Sequence, residues 1–104
     1  MAEAPERESM EYDLVIVGGG PAGLAAGIRF MQLAQEKGEE RTCVVLEKGG
    51  EIGAHILSGV VMDPVGLDKL MPEWRERDDR PLKTEVSGDK FIWLGPKGSL
   101  DISW

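Results

Sequence analysis

The chain has 104 residues, and its 19 acidic against 12 basic residues give it a formal net charge of −7. This balance argues against a nucleic-acid-binding protein, because affinity for phosphate backbones depends on a basic surface. The single cysteine, Cys43, supplies no disulfide framework or iron–sulfur ligand set and is best interpreted as a small buried hydrophobe. No apolar run approaches the roughly 20 residues that cross a bilayer, and the acidic N-terminus lacks a secretion or transit pattern.

The sequence predicts three parts. Residues 1–11 are polar and of mixed charge, and we expect a disordered tail. Residues 12–62 carry a strand, a helix and a second strand, followed by a glycine-rich loop. Residues 63–104 predict a short helix, a linker and an incomplete antiparallel β segment. The expected fold class is therefore α/β, with a partial Rossmann-like βαβ unit followed by the start of an antiparallel sheet.

A Gly-x-Gly-x-x-Gly pattern follows the β-branched run that ends at Val17, which predicts a buried parallel strand. Gly18 permits the tight turn, Gly20 lets the backbone approach a pyrophosphate, and Gly23 brings the next helix close to the sheet. Pro21 and Ala22 open that helix, where free N–H groups and the positive end of the dipole favour a diphosphate. The pattern predicts a dinucleotide-binding turn.

The helix is predicted from Pro21 or Ala22 to about Lys37, ended by Gly38. Its apolar row is predicted to comprise Ala22, Ala26, Phe30 and Leu33, whereas Gly23 and Gly27 share one close-packing face.

A second strand is predicted over 42–46, parallel to the first. It ends in Glu47, 24 residues after Gly23. An acid at the tip of the second strand, at about this distance, is placed to hydrogen-bond the ribose hydroxyls of a dinucleotide. The same carboxylate disfavours NADP, because it repels a 2′-phosphate.

The loop after Glu47 is rich in glycine and is predicted to run beside the cofactor, although a flexible connection is the alternative. Its His55 favours a structural hydrogen bond over a catalytic role, and Ser58 has no base to activate it, so no catalytic residue is predicted. The predicted cofactor-binding residues of this segment are Lys48, Gly53, Ala54, His55, Ser58 and Gly59.

Further along, Asp63 and Pro64 begin a helix predicted to run to Met71. Residues 74–80 mix both charge signs and predict a solvated connection. Strands are predicted over 82–86, over 90–94 and from Ser99 onward, as an antiparallel meander. Since a doubly wound sheet needs more than two parallel strands, we expect the chain to be the N-terminal piece of a larger protein.

Residues 13–24 resemble the FAD-binding opening of flavoproteins with the glutathione-reductase type of fold. Three further stretches narrow the resemblance: Glu47-Lys48, the Gly-Ala-His-x-Leu-Ser-Gly run over 53–59, and Met71-Pro72-Glu73-Trp74. Together they resemble the electron-transfer flavoprotein–ubiquinone oxidoreductase family. The resemblance covers the chain from about Glu8 onward.

This resemblance implies a peripheral enzyme of the inner (cytoplasmic) membrane. Such an enzyme takes electrons from reduced electron-transfer flavoprotein and passes them through FAD and a [4Fe-4S] cluster to ubiquinone. The resemblance implies that Gly18, Gly20 and Gly23 cradle the FAD diphosphate and that Glu47 holds the ribose. It also implies that 53–59 runs toward the flavin. The cluster ligands, the quinone pocket and the membrane contacts are expected outside these residues.

We expect the isolated chain to be inactive and to bind FAD weakly or not at all, since its two polar contacts together correspond to a dissociation constant of about 1 mM. Two alternatives stay open at this point. One is another FAD-dependent oxidoreductase with the same opening, such as a geranylgeranyl-reductase-like or hydroxylase-like protein. The other is a non-catalytic dinucleotide-binding module, and an NAD-dependent dehydrogenase is less favoured than either.

Overall fold

The structure is a computed structural model and describes residues 6–103. Of the predicted tail over 1–11, residues 1–5 lie outside the described residues, and residues 6–11 are exposed without regular secondary structure. Residues up to Gly59 form one compact unit and residues from Val60 onward form a second. The described elements, in chain order, are β1 (Leu14–Val17), α1 (Pro21–Glu36), β2 (Cys43–Leu46), α2 (Val65–Leu70), a 3₁₀ helix (Trp74–Glu76), β3 (Ile92–Gly95) and β4 (Gly98–Asp101).

In the first unit, β1 and β2 pair in parallel, with Leu14 opposite Cys43 and Val17 opposite Leu46. Two reciprocal hydrogen bonds join the residues that precede the two strands. The Asp13 N–H donates to Thr42 Oγ1 at 3.0 Å, and the Thr42 N–H donates to Asp13 Oδ2 at 2.8 Å. Since α1 connects the two strands, the predicted βαβ unit is confirmed.

Helix α1 lies against the sheet through its smallest residues. Gly27 and Ala34 are its buried positions. A β-carbon at Gly27 would lie 3.4 Å from Ile16 Cδ1 and 3.7 Å from Cys43 Sγ, so the backbone approaches the strands closely. The predicted apolar row was wrong at Ala22, Ala26 and Leu33, which are exposed. Glycines at 23 and 27 permit a closer approach, which turns those alanines away.

Helix α1 is terminated at Gly38, as predicted. The φ of Gly38, +66°, lies in the left-handed region that favours glycine. The Gly38 N–H donates to the Gln35 carbonyl at 3.1 Å, and the Glu39 N–H donates to the Ala34 carbonyl at 2.9 Å. These are the two bonds of a Schellman motif.

The sheet face opposite the buried side of β1 is open. Val15 and Val17 are 52% and 84% exposed, and Leu46 on β2 is 52% exposed. The prediction of a fully buried strand was therefore wrong for one face, because side chains alternate across a strand and α1 covers only the Leu14 and Ile16 side.

The second unit has a single large side chain in its interior among the described residues, Trp74, which is 4% exposed. Its indole N–H donates to Asp68 Oδ1 on α2 at 2.8 Å. Arg75 bonds the same oxygen at 2.6 Å, and its guanidinium lies 4.6 Å from the indole centroid. The bonds from Trp74 and then Arg75 lower the pKa of Asp68. The predicted solvated connection over 74–80 was thus wrong at Trp74.

Strands β3 and β4 form an antiparallel hairpin, with Ile92 opposite Asp101 and a two-residue turn between Gly95 and Gly98. Both strands are exposed along their whole length. The strand predicted over 82–86 was wrong, because no partner strand pairs with it among residues 6–103. Within the same residues, no helix combines the length and apolar character that a membrane span requires.

Candidate dinucleotide-binding site

The turn between β1 and α1 can be built only with glycines at two positions. Gly18 has a φ of +107°, and its N–H donates to the Leu46 carbonyl at 2.7 Å. A β-carbon at Gly23 would lie 2.1 Å from the Gly18 carbonyl oxygen and 3.1 Å from Ile16 Cγ2. No side chain fits there. The turn therefore folds the helix start directly onto the end of β1.

Helix α1 begins with its N-terminus unblocked. Gly20 is the N-cap residue in extended conformation, it makes no side-chain capping bond, and Pro21 occupies the first turn. The Leu24 N–H is bonded to the Gly20 carbonyl at 2.9 Å, so the N–H groups of Ala22 and Gly23 precede the first helical hydrogen bond. Apart from Gly20 itself and its two chain neighbours, no described residue has an atom within 4 Å of the position of a Gly20 β-carbon. A phosphate can therefore approach this backbone.

Glu47, just past β2, bonds the main chain on two sides. Its Oε1 accepts the Gly19 N–H at 3.2 Å, and its Oε2 accepts the Gly49 N–H at 2.6 Å. These two bonds, the Glu47 bridge, connect the glycine turn to the loop after β2. The Gly49 bond first, then the Gly19 bond, lower the pKa of Glu47, and the charges of His55 and Lys48 act in the same direction.

The ionised carboxylate keeps further acceptor capacity. A carboxylate offers about four lone-pair sites, and the Glu47 bridge uses two of them. Glu47 is half-buried, so the remaining sites are accessible from solvent. The residue can therefore hold the turn and accept a sugar hydroxyl at the same time.

The loop after β2 folds back on the turn at one point and on itself at another. Ile52 Cγ1 would lie 3.2 Å from a β-carbon at Gly19 in the turn, and Ala54 Cβ would lie 3.2 Å from one at Gly49 in the loop. Bonds from the Ala54 N–H to the Glu51 carbonyl and from the Ile56 N–H to the Gly53 carbonyl shape the intervening turn. Residues 51–56 are therefore arranged beside Glu47.

The structure places the predicted site residues unequally. It brings together the glycine turn, Glu47 and the part of the loop that contains Ala54 and His55. The charge of His55 acts on the Glu47 carboxylate. Gly53 and Gly59 have φ values of +89° and +76°, and Ser58 is exposed like both of them. None of the three contacts the glycine turn in the bonds and close approaches described for residues 6–103.

Sequence reasoning missed Gly19 and Gly49, the two residues that hold Glu47. A glycine two residues beyond the acid was the available signal, since it can turn its N–H back to the carboxylate without steric conflict. The part of the chain that the structure describes contains no group of three or more His, Cys, Asp or Glu residues arranged for a metal ion.

Comparison with known proteins agrees with this geometry. The sequence model of the NAD(P)-binding Rossmann-like domain family matches residues 16–82, from β1 through the loop after the 3₁₀ helix. The chain belongs to this family. The Rossmann-like assignment predicted from the glycine pattern is thereby confirmed.

Curated relatives of this Rossmann-like chain point to a more specific group of proteins than the domain family does. It is 56% identical over 89 residues to the electron transfer flavoprotein-ubiquinone oxidoreductase of Pseudomonas aeruginosa, covering 86% of this chain and 16% of the relative. To the mitochondrial protein of that name from Oryza sativa subsp. japonica it is 54% identical over 88 residues, 85% of the chain and 15% of the relative. To the mitochondrial protein of that name from Dictyostelium discoideum it is 50% identical over 98 residues, which cover 94% of this chain and 16% of the relative. The predicted resemblance is confirmed, and the chain spans about one sixth of these relatives.

Proposed function

We propose that this Rossmann-like chain is the FAD-binding part of an electron transfer flavoprotein–ubiquinone oxidoreductase. In the whole protein, electrons from reduced electron-transfer flavoprotein would pass through FAD and a [4Fe-4S] cluster to ubiquinone at a membrane surface. The observation that carries the proposal is the open helix N-terminus at Gly20 with the Glu47 carboxylate beside the same turn. The names of the similar proteins supply the choice of oxidoreductase.

The residues fit an adenine dinucleotide at both of its polar groups. The diphosphate would receive hydrogen bonds from the Ala22 and Gly23 N–H groups, where the helix dipole also favours negative charge. The ribose hydroxyls would donate to the free lone pairs of Glu47. FAD supplies the redox-active ring when bound, and this chain's residues bind and orient its adenosine diphosphate portion. Residues 53–59 are proposed to run along the cofactor.

NAD is the second candidate ligand, because the family description names NAD(P). NADP is the least suited of the three, because the Glu47 carboxylate, whose pKa lies below its ordinary value of 4.5, is charged at neutral pH and would repel a 2′-phosphate. The expected order of affinity is FAD, then NAD, then NADP.

A titration of the isotopically labelled chain, followed by backbone amide chemical shifts, tests the proposal at the millimolar concentrations that weak binding requires. FAD is expected to shift the amides of Gly20, Ala22 and Gly23. Glu47→Ala is expected to weaken FAD binding about tenfold, the scale of one charged hydrogen bond. Lys97→Ala, a change in the hairpin turn, serves as the control with unchanged affinity. A chain whose glycine-turn amides do not respond to about 10 mM FAD, roughly ten times the expected constant, contradicts the proposal.

A further inference from the structure

The Glu47 bridge has a donor that no ligand-binding role explains. Gly49 is not part of the Gly-x-Gly-x-x-Gly turn, and its φ does not lie in the left-handed region. Its N–H nevertheless makes the shorter of the two bonds to Glu47, at 2.6 Å against 3.2 Å for Gly19. The closer of the two contacts to the carboxylate therefore comes from the loop side.

The space beside Gly49 is restricted, more than at Gly19 though less than at Gly23. A β-carbon there would lie 2.9 Å from Glu47 Oε2, 3.2 Å from Ala54 Cβ and 3.3 Å from the Glu51 carbonyl oxygen. Any side chain at this position pushes against the carboxylate that the N–H holds, or against a backbone oxygen. The adjacent Gly50 differs, because no residue beyond its two chain neighbours has a described atom within 4 Å of its β-carbon position.

We propose that Gly49 is a positioning residue for nucleotide binding: its N–H orients the Glu47 carboxylate, which in turn holds the Gly19 N–H and fixes the glycine turn before a nucleotide arrives. The positioning role rests on the proposed function, whereas the bridge itself is a property of the free chain. Preorganisation of this kind strengthens binding because less conformational freedom is lost when the nucleotide binds.

The test compares Gly49→Ala with Gly50→Ala in the labelled chain. Gly49→Ala is expected to speed hydrogen exchange of the Gly19 amide about tenfold and to raise the titration midpoint of the Glu47 carboxyl toward its ordinary value. It is also expected to weaken ADP binding several-fold (about 3 to 10 times). Gly50→Ala should change none of these. Equal behaviour of the two variants overturns the proposal.

A double-mutant cycle separates positioning from a purely structural role. If Gly49 acts through Glu47, then Gly49→Ala adds nothing to the loss of ADP affinity that Glu47→Gln already causes. Additive losses mean that Gly49 acts independently of the carboxylate and refute the inference.

A third measurement needs no substitution and therefore does not depend on whether a variant folds. In the unmodified chain, the amide shifts of Gly19 and Gly49 should follow one common acid titration, that of Glu47. Different midpoints for the two amides overturn the bridge. Common midpoints without any response to ADP or FAD leave the bridge in place and instead overturn the proposed function.

Discussion

The two units of the chain are stabilised by different kinds of contact. In the first unit, the decisive contacts involve main-chain groups of glycines, as where Gly23 lies against the Gly18 carbonyl and where the Gly19 N–H donates to the Glu47 carboxylate. In the second unit, one buried side chain, Trp74, is held by the side chains of Asp68 and Arg75. A site made of backbone donors depends on glycine and spacing, whereas a packed indole depends on the chemistry of its neighbours.

The largest expected effect is at the main-chain contact in the first unit. Gly23→Ala forces a β-carbon to within 2.1 Å of the Gly18 oxygen and is expected to destabilise the unit by about 3 kcal/mol. Urea unfolding followed by the amide signals of α1 measures this loss.

Gly20→Ala is the matched control, because the space beside Gly20 is open. This variant should keep the stability of α1 within about 0.5 kcal/mol. It should still weaken FAD binding, because its methyl group occupies the space through which the phosphate approaches. Equal stability losses for the two variants would show that the close approach at Gly23 does not decide this fold.

The second prediction addresses the side-chain contact in the second unit. Trp74→Ala removes the buried indole and is expected to cost about 3 kcal/mol. Trp93→Ala, at a tryptophan 67% exposed on the hairpin, should cost less than about 1 kcal/mol. Denaturant unfolding followed by the amide signals of α2 distinguishes them. A larger loss at Trp93 would place the structural centre of this unit in the hairpin.

The smallest effect is an acid dependence that both units share. Depressed carboxyl pKa values occur at Glu47 in the first unit and at Asp68, Asp79 and Asp101 in the second. A depressed folded-state pKa contributes stability above the unfolded value and loses it as the pH falls through the folded value. For Glu47 the loss begins below its ordinary value of 4.5.

Substitution at Glu47 sharpens the comparison between the units. Glu47→Gln removes the titrating group, so the stability of the first unit should fall less steeply between pH 5 and pH 3 (about two units around the ordinary value). The acid dependence of α2, where the carboxylate of Asp68 is unchanged, should be unaffected. Amide-resolved unfolding at several pH values measures both, and an unchanged slope at α1 contradicts the assigned role of the Glu47 bridge.

Most of the first unit could be predicted from sequence, because its determinants are local. Gly18 and Gly38 mark backbone conformations with positive φ, and β-branched runs separated by one helical pattern specify parallel strands. The position of Glu47 beside the turn follows from the same topology, since the end of β2 lies next to the end of β1.

The second unit could not be predicted as well, because its determinants are tertiary. The burial of Trp74 depends on Asp68, six residues earlier and on a different helix, and nothing in the charged run over 74–80 indicates it. The segment 82–86 has the composition of a strand but no partner strand among the described residues. Strand composition describes a surface that can pair, whereas pairing requires a neighbour.

The Glu47 bridge has a consequence for how substitutions are tolerated along this loop. Because main-chain N–H groups donate both hydrogen bonds to the carboxylate, the bridge needs no donor from a neighbouring side chain, and Gly50 is sterically unconstrained. In a library that carries every substitution at each position of this loop, nucleotide binding should be lost for most changes at 47 and 49. Most changes at 50 should be tolerated. Inserting one residue between 47 and 49 should disrupt the bridge as much as removing the acid does, because the bond requires a glycine N–H two residues after the carboxylate.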